Sequence, residues 1–337
     1  MRTKKWLLLP LAAIVALAAA GISYYRRLKE PVPEYIFSYA ENQTEDYPTT
    51  LGALRFAELV EQRTGGRIRI QVQAEGRLGT EMEVIKQLQY GGIDFARVSL
   101  SQLAAYIPEL NVLQMPYLYM DSAHMWRVLD GEIGDSFLNS VREHELVGMS
   151  WYDAGARNFY NSVRPITCPE DMVGMRIRVQ ESEVMIDMVE ALGATALPVS
   201  YEEVYSSLER GLCDGAENNW PSYEAMCHYE VASYYTVDEH TRVPEMQICS
   251  VHTWDKLSEE DRRIILECAA ESALYGRELW TQREETSRLA ALENGTLETV
   301  LSSEEKQEFQ DRMSDIYIKY CSEYMDIINK IIAEGKK

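Results

Sequence analysis

The sequence lacks the short motifs that are typical of the common enzyme classes. It has no GxGxxG after a strand, no GxxxxGKS/T, no GxSxG and no HExxH. Its five histidines are dispersed along the chain. We therefore expect no catalytic residue, no metal site and no cofactor.

Cysteine is also scarce, and its spacing is uninformative. The chain has six cysteines without a CxxC pair or a dense disulfide framework. They are Cys168, Cys213, Cys227, Cys249, Cys268 and Cys321. Disulfides and buried free thiols both remain open.

Positive charge is in short supply outside the N-terminus. The net charge is −21, but six basic residues and one acidic residue give residues 1–30 a charge of +5, which leaves −26 for the rest. A body this acidic repels the phosphates of nucleic acids. We therefore exclude a nucleic-acid partner.

The N-terminus is typical of an exported protein. Basic residues precede an apolar run at 6–25, with small residues at 18–21 for cleavage. The run is also long enough to span a bilayer, so residues 1–30 are either a cleaved signal peptide or a retained membrane anchor. No cysteine lies there, which excludes a lipoprotein anchor. We expect the protein in the periplasm or at the outer face of the cytoplasmic membrane.

Hydrophobic periodicity predicts an α/β fold. In the first part of the chain, strands at 35–39, 68–72 and 93–100 alternate with helices at 53–60 and 80–90. Strands separated by helices imply a parallel sheet covered on both faces. This part is therefore predicted to be a doubly wound α/β domain.

The alternation restarts in the second half. Its predicted elements are a strand at 175–179, a helix at 185–192, a helix from the capping box of Ser200 and Glu203 to Gly211, and a strand at 211–216. Capping residues at Ser258 and Ser302 then predict two more helices, of which the longer bridges two lobes. At 337 residues the chain is long enough for two domains with a cleft between them.

Three arginines lie at predicted strand ends, where loops of a doubly wound sheet open onto a ligand crevice. They are Arg97, Arg157 and Arg178. A guanidinium group pairs with a carboxylate through two parallel hydrogen bonds. Each could instead be a surface arginine paired with an acid, which is the interpretation we adopt for Arg67, Arg69 and Arg176.

A long set of motifs carries a family resemblance. Residues 174–219 contain Gly174-x-x-x-Arg178-Val179, Leu192-Gly193-Ala194, Glu203-Val204-Tyr205 and Asp214-Gly215-Ala216-Glu217-Asn218. Leu78-Gly79, Gly92-x-Asp94-Phe95 and Met115-Pro116-Tyr117 precede them in matching order. This pattern resembles the DctP-type substrate-binding subunits of tripartite ATP-independent periplasmic (TRAP) transporters.

The resemblance implies a two-domain, periplasmic-binding-protein-like α/β fold with doubly wound sheets, an interdomain cleft, crossing strands and a long bridging helix. We expect domain I at 34–154 plus 245–283 and domain II at 155–244 plus 284–337.

The resemblance also implies ligand-binding residues. Arg178 matches the arginine that pairs with the substrate carboxylate, and Arg157 matches a second pocket arginine. The other matching positions are Asn42, Gln43, Tyr201 and Asn218. Arg97 and Ser99 share one side of their predicted strand and stand where sialic-acid binders place Phe and Glu, which disfavours that ligand. If Arg97 faces the cleft, it should pair with the second carboxylate of a diacid.

Four further residues have two interpretations each. Trp220 could line the pocket or cap a core, and Glu217 could touch ligand or orient either Arg178 or the backbone. Glu239 and His240, with the pair Asn218-Asn219, resemble the sugar-acid subgroup, although a buried histidine is more often structural. We count Trp220, Glu217 and Glu239 among the candidate ligand-binding residues.

The sequence thus predicts a solute-binding protein without catalysis. Its partners would be a small carboxylate such as a uronate or aldonate and the two TRAP membrane subunits, small DctQ-like and large DctM-like. Neutral sugars and amines should not bind. The alternatives are an exported enzyme using Glu217, Glu239 or His240 as acid and base, and a ligand-sensing or structural surface protein.

Overall fold

A computed structural model describes residues 32–336. The predicted signal peptide or anchor therefore lies outside the described residues. Eleven strands occur in this part of the chain: β1 Tyr35–Ala40, β2 Ile68–Gln73, β3 Phe95–Ser99, β4 Leu146–Tyr152, β5 Ala156–Asn161, β6 Arg176–Val179, β7 Thr195–Pro198, β8 Gly215–Asn218, β9 Tyr234–Arg242, β10 Glu245–Ser250 and β11 Leu297–Val300.

The same residues contain thirteen α-helices. They are α1 Pro48–Arg63, α2 Glu81–Gln89, α3 Leu100–Ala104, α4 Ser122–Leu129, α5 Glu132–Ser140, α6 Glu183–Ala191, α7 Val204–Glu209, α8 Trp220–Ala225, α9 Val251–Trp254, α10 Glu259–Glu293, α11 Ser303–Arg312, α12 Ser314–Cys321 and α13 Met325–Glu334.

The strands form two separate sheets. The first has the order β2-β1-β3-β10-β4, and the second has the order β11-β9-β5-β8-β6-β7. In the first sheet β1, β2 and β3 are parallel, as the sequence predicts. In the second, β6 is parallel to both β7 and β8. The predicted α/β class with two doubly wound sheets is confirmed.

The expectation of wholly parallel sheets is wrong, however. Strand β10 is antiparallel to β3 and β4, and β5 is antiparallel to β8 and β9. The reason is that the chain passes directly from a strand of one sheet to a strand of the other at two places, from β4 to β5 and from β9 to β10. Each crossing strand enters its new sheet in the reverse direction. The crossing strands implied by the family resemblance are therefore present.

The 35-residue helix α10 bridges the two sheets. It begins where predicted, since the Ser258 side chain accepts a hydrogen bond from the Asp261 backbone at 3.1 Å. Its Arg283 forms ion pairs with Asp46, before α1, and with Glu224 in α8, at 3.2 and 2.9 Å. One helix thereby contacts elements attached to both sheets.

The last helix returns to the first sheet's side of the molecule. In α13 the carbonyl oxygen of Ile331 lies 2.7 Å from Nε2 of His124 in α4. The domain boundaries predicted from the sequence remain a prediction.

Two local expectations are corrected. The Ser200 hydroxyl contacts Glu203 at 3.2 Å but caps no backbone amide, because a 3₁₀ turn at Tyr201–Glu203 precedes α7. Strand β8 begins only at Gly215, because Gly211 ends the helix with a φ of 65° and the turn continues beyond it. All six cysteines are free thiols.

Candidate functional site

A small polar cavity lies between the two sheets, at the carboxyl ends of β1, β3, β6 and β8. The starts of β5 and β10 reach the same place because they run antiparallel to their neighbours, pairing Asn158 with Asn218 and Glu245 with Ser99. The lining residues are Asn42, Gln43, Glu81, Arg97, Ser99, Arg157, Arg178, Gln180, Tyr201, Asn218, Asn219, Ser222 and Glu245. A cavity this polar suits a hydrophilic ligand.

Arg178 occupies the end of β6 and is 1% exposed. Its Nε donates to the Val199 carbonyl at 2.8 Å, while its Nη1 has no hydrogen-bond partner. Among the three buried arginines of residues 32–336, it is the one that forms no ion pair. Burial lowers the pKa of Arg178, and the charge of Glu217 only partly opposes this effect.

Arg157, at the start of β5, is already neutralised. Its Nη2 donates to the Glu217 carboxylate at 2.8 Å and its Nη1 to the Asn218 side chain at 3.1 Å. Burial would raise the pKa of Glu217, but Arg157 and His240 lower it to about 2. Glu217 therefore orients Arg157, not Arg178 as one interpretation proposed.

His240 lies behind this ion pair. Its Nδ1 is 2.8 Å from Asp238 and its Nε2 is 3.6 Å from Glu217. Burial opposes protonation, yet Asp238 and Glu217 raise the pKa of His240 to about 9. Buried negative and positive charges thus alternate in space from Asp238 through His240 and Glu217 to Arg157 at the cavity wall.

Arg97 lies at the cavity wall formed by the first sheet, and all of its hydrogen-bond donors are already engaged. Its five N–H groups are directed at Glu41 (two bonds), Glu81, Glu245 and Asn42. The expectation that Arg97 pairs with a second ligand carboxylate is therefore corrected. Strand parity placed Arg97 at the cleft correctly. However, three buried glutamates and Asn42 accept all five of its hydrogen bonds.

Four hydrogen bonds join the two sides of the cleft, one of them from the Tyr47 hydroxyl to the Asn219 side chain at 3.4 Å. Gln180 donates to Ser99 at 3.0 Å, and Tyr201 donates to Gln43 at 3.0 Å. The Tyr47 hydroxyl lies 2.9 Å from that of Ser222. The structure is thus a closed one, with the cavity shut between the sheets.

Eight of the candidate residues line this cavity. They are Asn42, Gln43, Arg97, Ser99, Arg157, Arg178, Tyr201 and Asn218. Their role in holding a ligand remains a prediction.

Three other candidates lie elsewhere. Trp220 is 5% exposed and stacks on Tyr235 with ring centroids 3.5 Å apart, so it belongs to the core. Glu217 lies behind Arg157. Glu239 lies outside the cavity and forms ion pairs with Lys306 at 2.7 Å and Arg242 at 3.3 Å.

The arginines assigned to the surface are found there. Arg176 pairs with Asp214 at 2.7 Å, Arg67 with Asp261 at 2.6 Å and Arg69 with Glu61 at 2.8 Å. Each of these three arginine side chains is more than a third exposed.

Sequence reasoning missed five lining residues. Gln180 directly follows the predicted strand at 175–179. The expectation that ligand-binding residues lie at strand ends, which identified Arg178, could therefore have identified Gln180 as well. Glu81 begins helix α2, and Asn219 and Ser222 form the capping contact of α8 at 2.7 Å. Glu245 starts a strand that the sequence did not predict as antiparallel, so no local signal pointed to it.

Residues 32–336 contain no group of three or more histidine, cysteine, aspartate or glutamate side chains suited to a metal ion. No helix in this range combines the length and apolarity needed to cross a membrane.

Comparison with known proteins agrees with this geometry. A solute-binding protein of Chromohalobacter salexigens is 36% identical over 281 residues, covering 83% of each chain. A TRAP periplasmic solute-binding protein of Xanthobacter autotrophicus with bound β-D-galacturonate has a TM-score of 0.85 and 36% identity, covering 88% of this chain and 99% of that one. A Shewanella oneidensis relative with bound succinate has a TM-score of 0.86 and 27% identity, covering 90% and 100%.

The family match spans most of the chain. Residues 39–323 match the family described as bacterial extracellular solute-binding protein, family 7, or DctP. That range contains every strand except the first four residues of β1, and every residue that lines the cavity. The chain therefore belongs to the DctP family of bacterial extracellular solute-binding proteins.

Proposed function

We propose that this chain is the solute-binding subunit of a TRAP transporter and that it captures a sugar acid, whose carboxylate pairs with Arg178. The observation that carries the proposal is the buried Arg178 guanidinium, which has an unpartnered Nη1 and forms no ion pair among the described residues. An uncompensated buried charge is costly, and an anionic ligand is the group that would remove this cost.

The other polar groups of the cavity suit the hydroxyls of a sugar. Gln180 Oε1 and Glu245 Oε2 are buried without hydrogen-bond partners. Asn42, Asn218 and Tyr201 supply amide and hydroxyl groups beside them. The galacturonate held by the Xanthobacter relative combines one carboxylate with several hydroxyls, which is the chemistry that these groups would accept.

The three acid and base groups of the enzyme alternative lie away from the cavity, which supports binding without catalysis; Glu81 and Glu245, which do line it, are bound to Arg97. Glu217 is bound to Arg157, and His240 is held between Asp238 and Glu217, so neither lines the cavity. Glu239 lies outside it. General acid–base catalysis needs such a group within hydrogen-bond reach of the substrate.

The membrane partners are part of the same proposal. The closed, ligand-bound protein would deliver its cargo to a small DctQ-like and a large DctM-like subunit on the outer side of the cytoplasmic membrane. The closed cleft supports this, because closure gives the membrane subunits a shape that differs from the empty protein.

Calorimetric titration of the purified protein tests the ligand class. Glucuronate or gluconate should bind, and glucose should not, because only the acids can neutralise Arg178. Binding of glucose as tight as that of the acids would reject the proposal. Turnover of the sugar acid during the same incubation would favour the enzyme alternative.

A further inference from the structure

One wall of the cavity is acidic although an arginine stands at its centre. We call Arg97, Glu41, Glu81 and Glu245 the Arg97 cluster. All four side chains are buried, and their formal charge is −2 if every carboxyl group is ionised. Nη1 of Arg97 lies 3.0 Å from both Glu81 and Glu245. The guanidinium is therefore fully shared among protein carboxylates before any ligand arrives.

Protonation of Glu245 and Glu81 would make this cluster less negative, with a formal charge between −2 and 0 while Glu41 stays ionised. Burial raises the pKa of Glu245 to about 8, an effect that Glu81 and Glu41 reinforce and Arg97 and Arg157 oppose. Burial also raises the pKa of Glu81. A protonated Glu245 could donate from its unpartnered Oε2 to a ligand hydroxyl. An ionised Glu245 would add one more negative charge to the same wall.

The opposite wall has one cation that is not neutralised. Arg178 lacks an ion pair, whereas the charge of Arg157 is balanced by Glu217. Beside Arg178, Gln180 offers an unpartnered Oε1, which can only accept a hydrogen bond. The two walls together hold one site for a carboxylate and several sites for hydroxyls.

We propose that the Arg97 cluster excludes a second carboxylate, so that the ligand is a hydroxylated monocarboxylate and not a dicarboxylate. This inference rests on the proposed function and narrows its substrate class. A diacid that pairs with Arg178 would place its other carboxylate in a dry cleft against glutamates, where like charges repel and no free donor of Arg97 remains.

The selectivity belongs to these residues and not to the fold. The Shewanella relative, with a TM-score of 0.86, holds succinate, a dicarboxylate. The same architecture therefore accommodates diacids elsewhere. In this chain, the three glutamates around Arg97 would set the preference.

The first test uses the wild-type protein and three ligands. Gluconate and glucarate are open-chain acids that differ in one terminal carboxylate, and glucuronate is the ring-forming monoacid. We expect whichever of gluconate and glucuronate binds more tightly to bind at least about thirtyfold more tightly than glucarate, as measured by calorimetry at pH 7. The reason is that the second carboxylate of glucarate would lie against the glutamates of the Arg97 cluster. Glucarate binding as tightly as the monoacids would overturn the inference and leave the sugar-acid function intact. Failure of all three ligands to bind would overturn both.

Variants then assign the discrimination to the cluster. In Glu81→Gln/Glu245→Gln two carboxylates become neutral amides, so the ratio of glucarate to monoacid dissociation constants should fall at least about tenfold. Glu239→Gln is the matched control, because Glu239 lies outside the cavity, and it should keep the wild-type ratio. An unchanged ratio in the double variant would mean that the cluster does not set the selectivity. The wild-type comparison decides the inference even if the double variant does not fold.

Discussion

The three buried arginines share a residue type and a depth of burial, yet they differ in what neutralises them. Arg97 is surrounded by three glutamates, Arg157 is paired with one, and Arg178 has none. Because a buried charge is stable only when it is compensated, these differences assign different roles. Arg97 lies within an acidic wall, and Arg157 is part of a buried charge network. Arg178 is the group that we propose pairs with the carboxylate of the ligand.

Truncation of Arg178 should abolish most of the ligand affinity. We expect Arg178→Ala to weaken sugar-acid binding at least about a hundredfold, since truncating one member of a desolvated charge pair costs roughly 2–5 kcal/mol. The thermal midpoint of the ligand-free protein should not fall, because the variant removes an uncompensated charge. Calorimetry and thermal unfolding measure the two effects.

Arg176→Ala is the control for that variant. Arg176 lies on the same strand two residues earlier, is exposed and pairs with Asp214 on the surface. It should keep near-native affinity. Near-native affinity in Arg178→Ala as well would show that the strand-end arginine is structural.

His240 should make stability depend on pH in the alkaline range. Its pKa rises from 6.5 to about 9 because Asp238 and Glu217 favour the charged ring over the opposing effect of burial. The stabilisation is fully present below pH 6.5 and is lost as the pH rises through about 9. Relative to His240→Gln, the wild-type free energy of unfolding should therefore fall by about 3 kcal/mol between pH 6 and pH 10.

His228→Gln provides the comparison for this pH dependence. Burial lowers the pKa of His228 to about 3, with a contribution from Arg178, so its ring is neutral when folded across that range. Above pH 7 the unfolded ring is neutral too, and the stability difference from wild type should be flat. Urea denaturation at several pH values gives both curves. A flat difference for His240→Gln as well would mean that His240 is neutral in the folded protein.

At the scale of elements, the site depends on where strands end and on which helix holds the sheets together. Strands β3, β6 and β8 end at the cavity, and α10 fixes the sheets by contacts to both sides. The start of α10 is set by Ser258, which caps the helix, and by Asp261, which pairs with Arg67. This end of the helix is therefore tied to the first sheet.

Removal of the Ser258 cap should lower global stability. Ser258→Ala leaves a backbone amide of α10 without its hydrogen bond, and we expect a loss of about 1 kcal/mol in the free energy of unfolding. Ser303→Ala, at an exposed position inside α11, should change it by less than about 0.5 kcal/mol. Urea denaturation compares them, and equal losses would show that the cap does not limit the stability of α10.

At the scale of the whole molecule, the cleft is closed by few direct bonds. Gln180, Tyr201 and Tyr47 provide the four hydrogen bonds described above. Each such bond contributes only about 1 kcal/mol, so these bonds alone hold the cleft weakly. We expect the ligand to supply most of the energy that keeps the cleft shut.

Weakening closure away from the ligand should act mainly on ligand release. Tyr47 does not line the cavity, and Tyr47→Phe removes its bonds to Ser222 and Asn219. We expect about fivefold weaker binding of the sugar acid, chiefly through faster dissociation in stopped-flow measurements. Tyr152→Phe, which affects an equally buried hydroxyl that contacts Ser272 and does not cross the cleft, should bind normally. Equal affinities for both variants would mean that these bonds do not contribute to closure.

The sequence by itself determined those helices and strands whose signals come from residues close together along the chain. Apolar periodicity located β1, β2, α1 and α2, and the capping serines located the starts of α10 and α11, because these signals are local. The family motifs and strand parity placed eight candidate residues, including Arg97 and Arg178, at the cavity.

Only the tertiary structure decided which charges meet. Glu41, Glu81 and Glu245 surround Arg97 although they come from three distant parts of the chain, and Glu245 arrives on a strand reversed by the crossing between sheets. The other crossing, from β4 to β5, brings Arg157 to Asn218 and Glu217. Whether an arginine is free for a ligand depends on such long-range partners, and no local pattern encodes them.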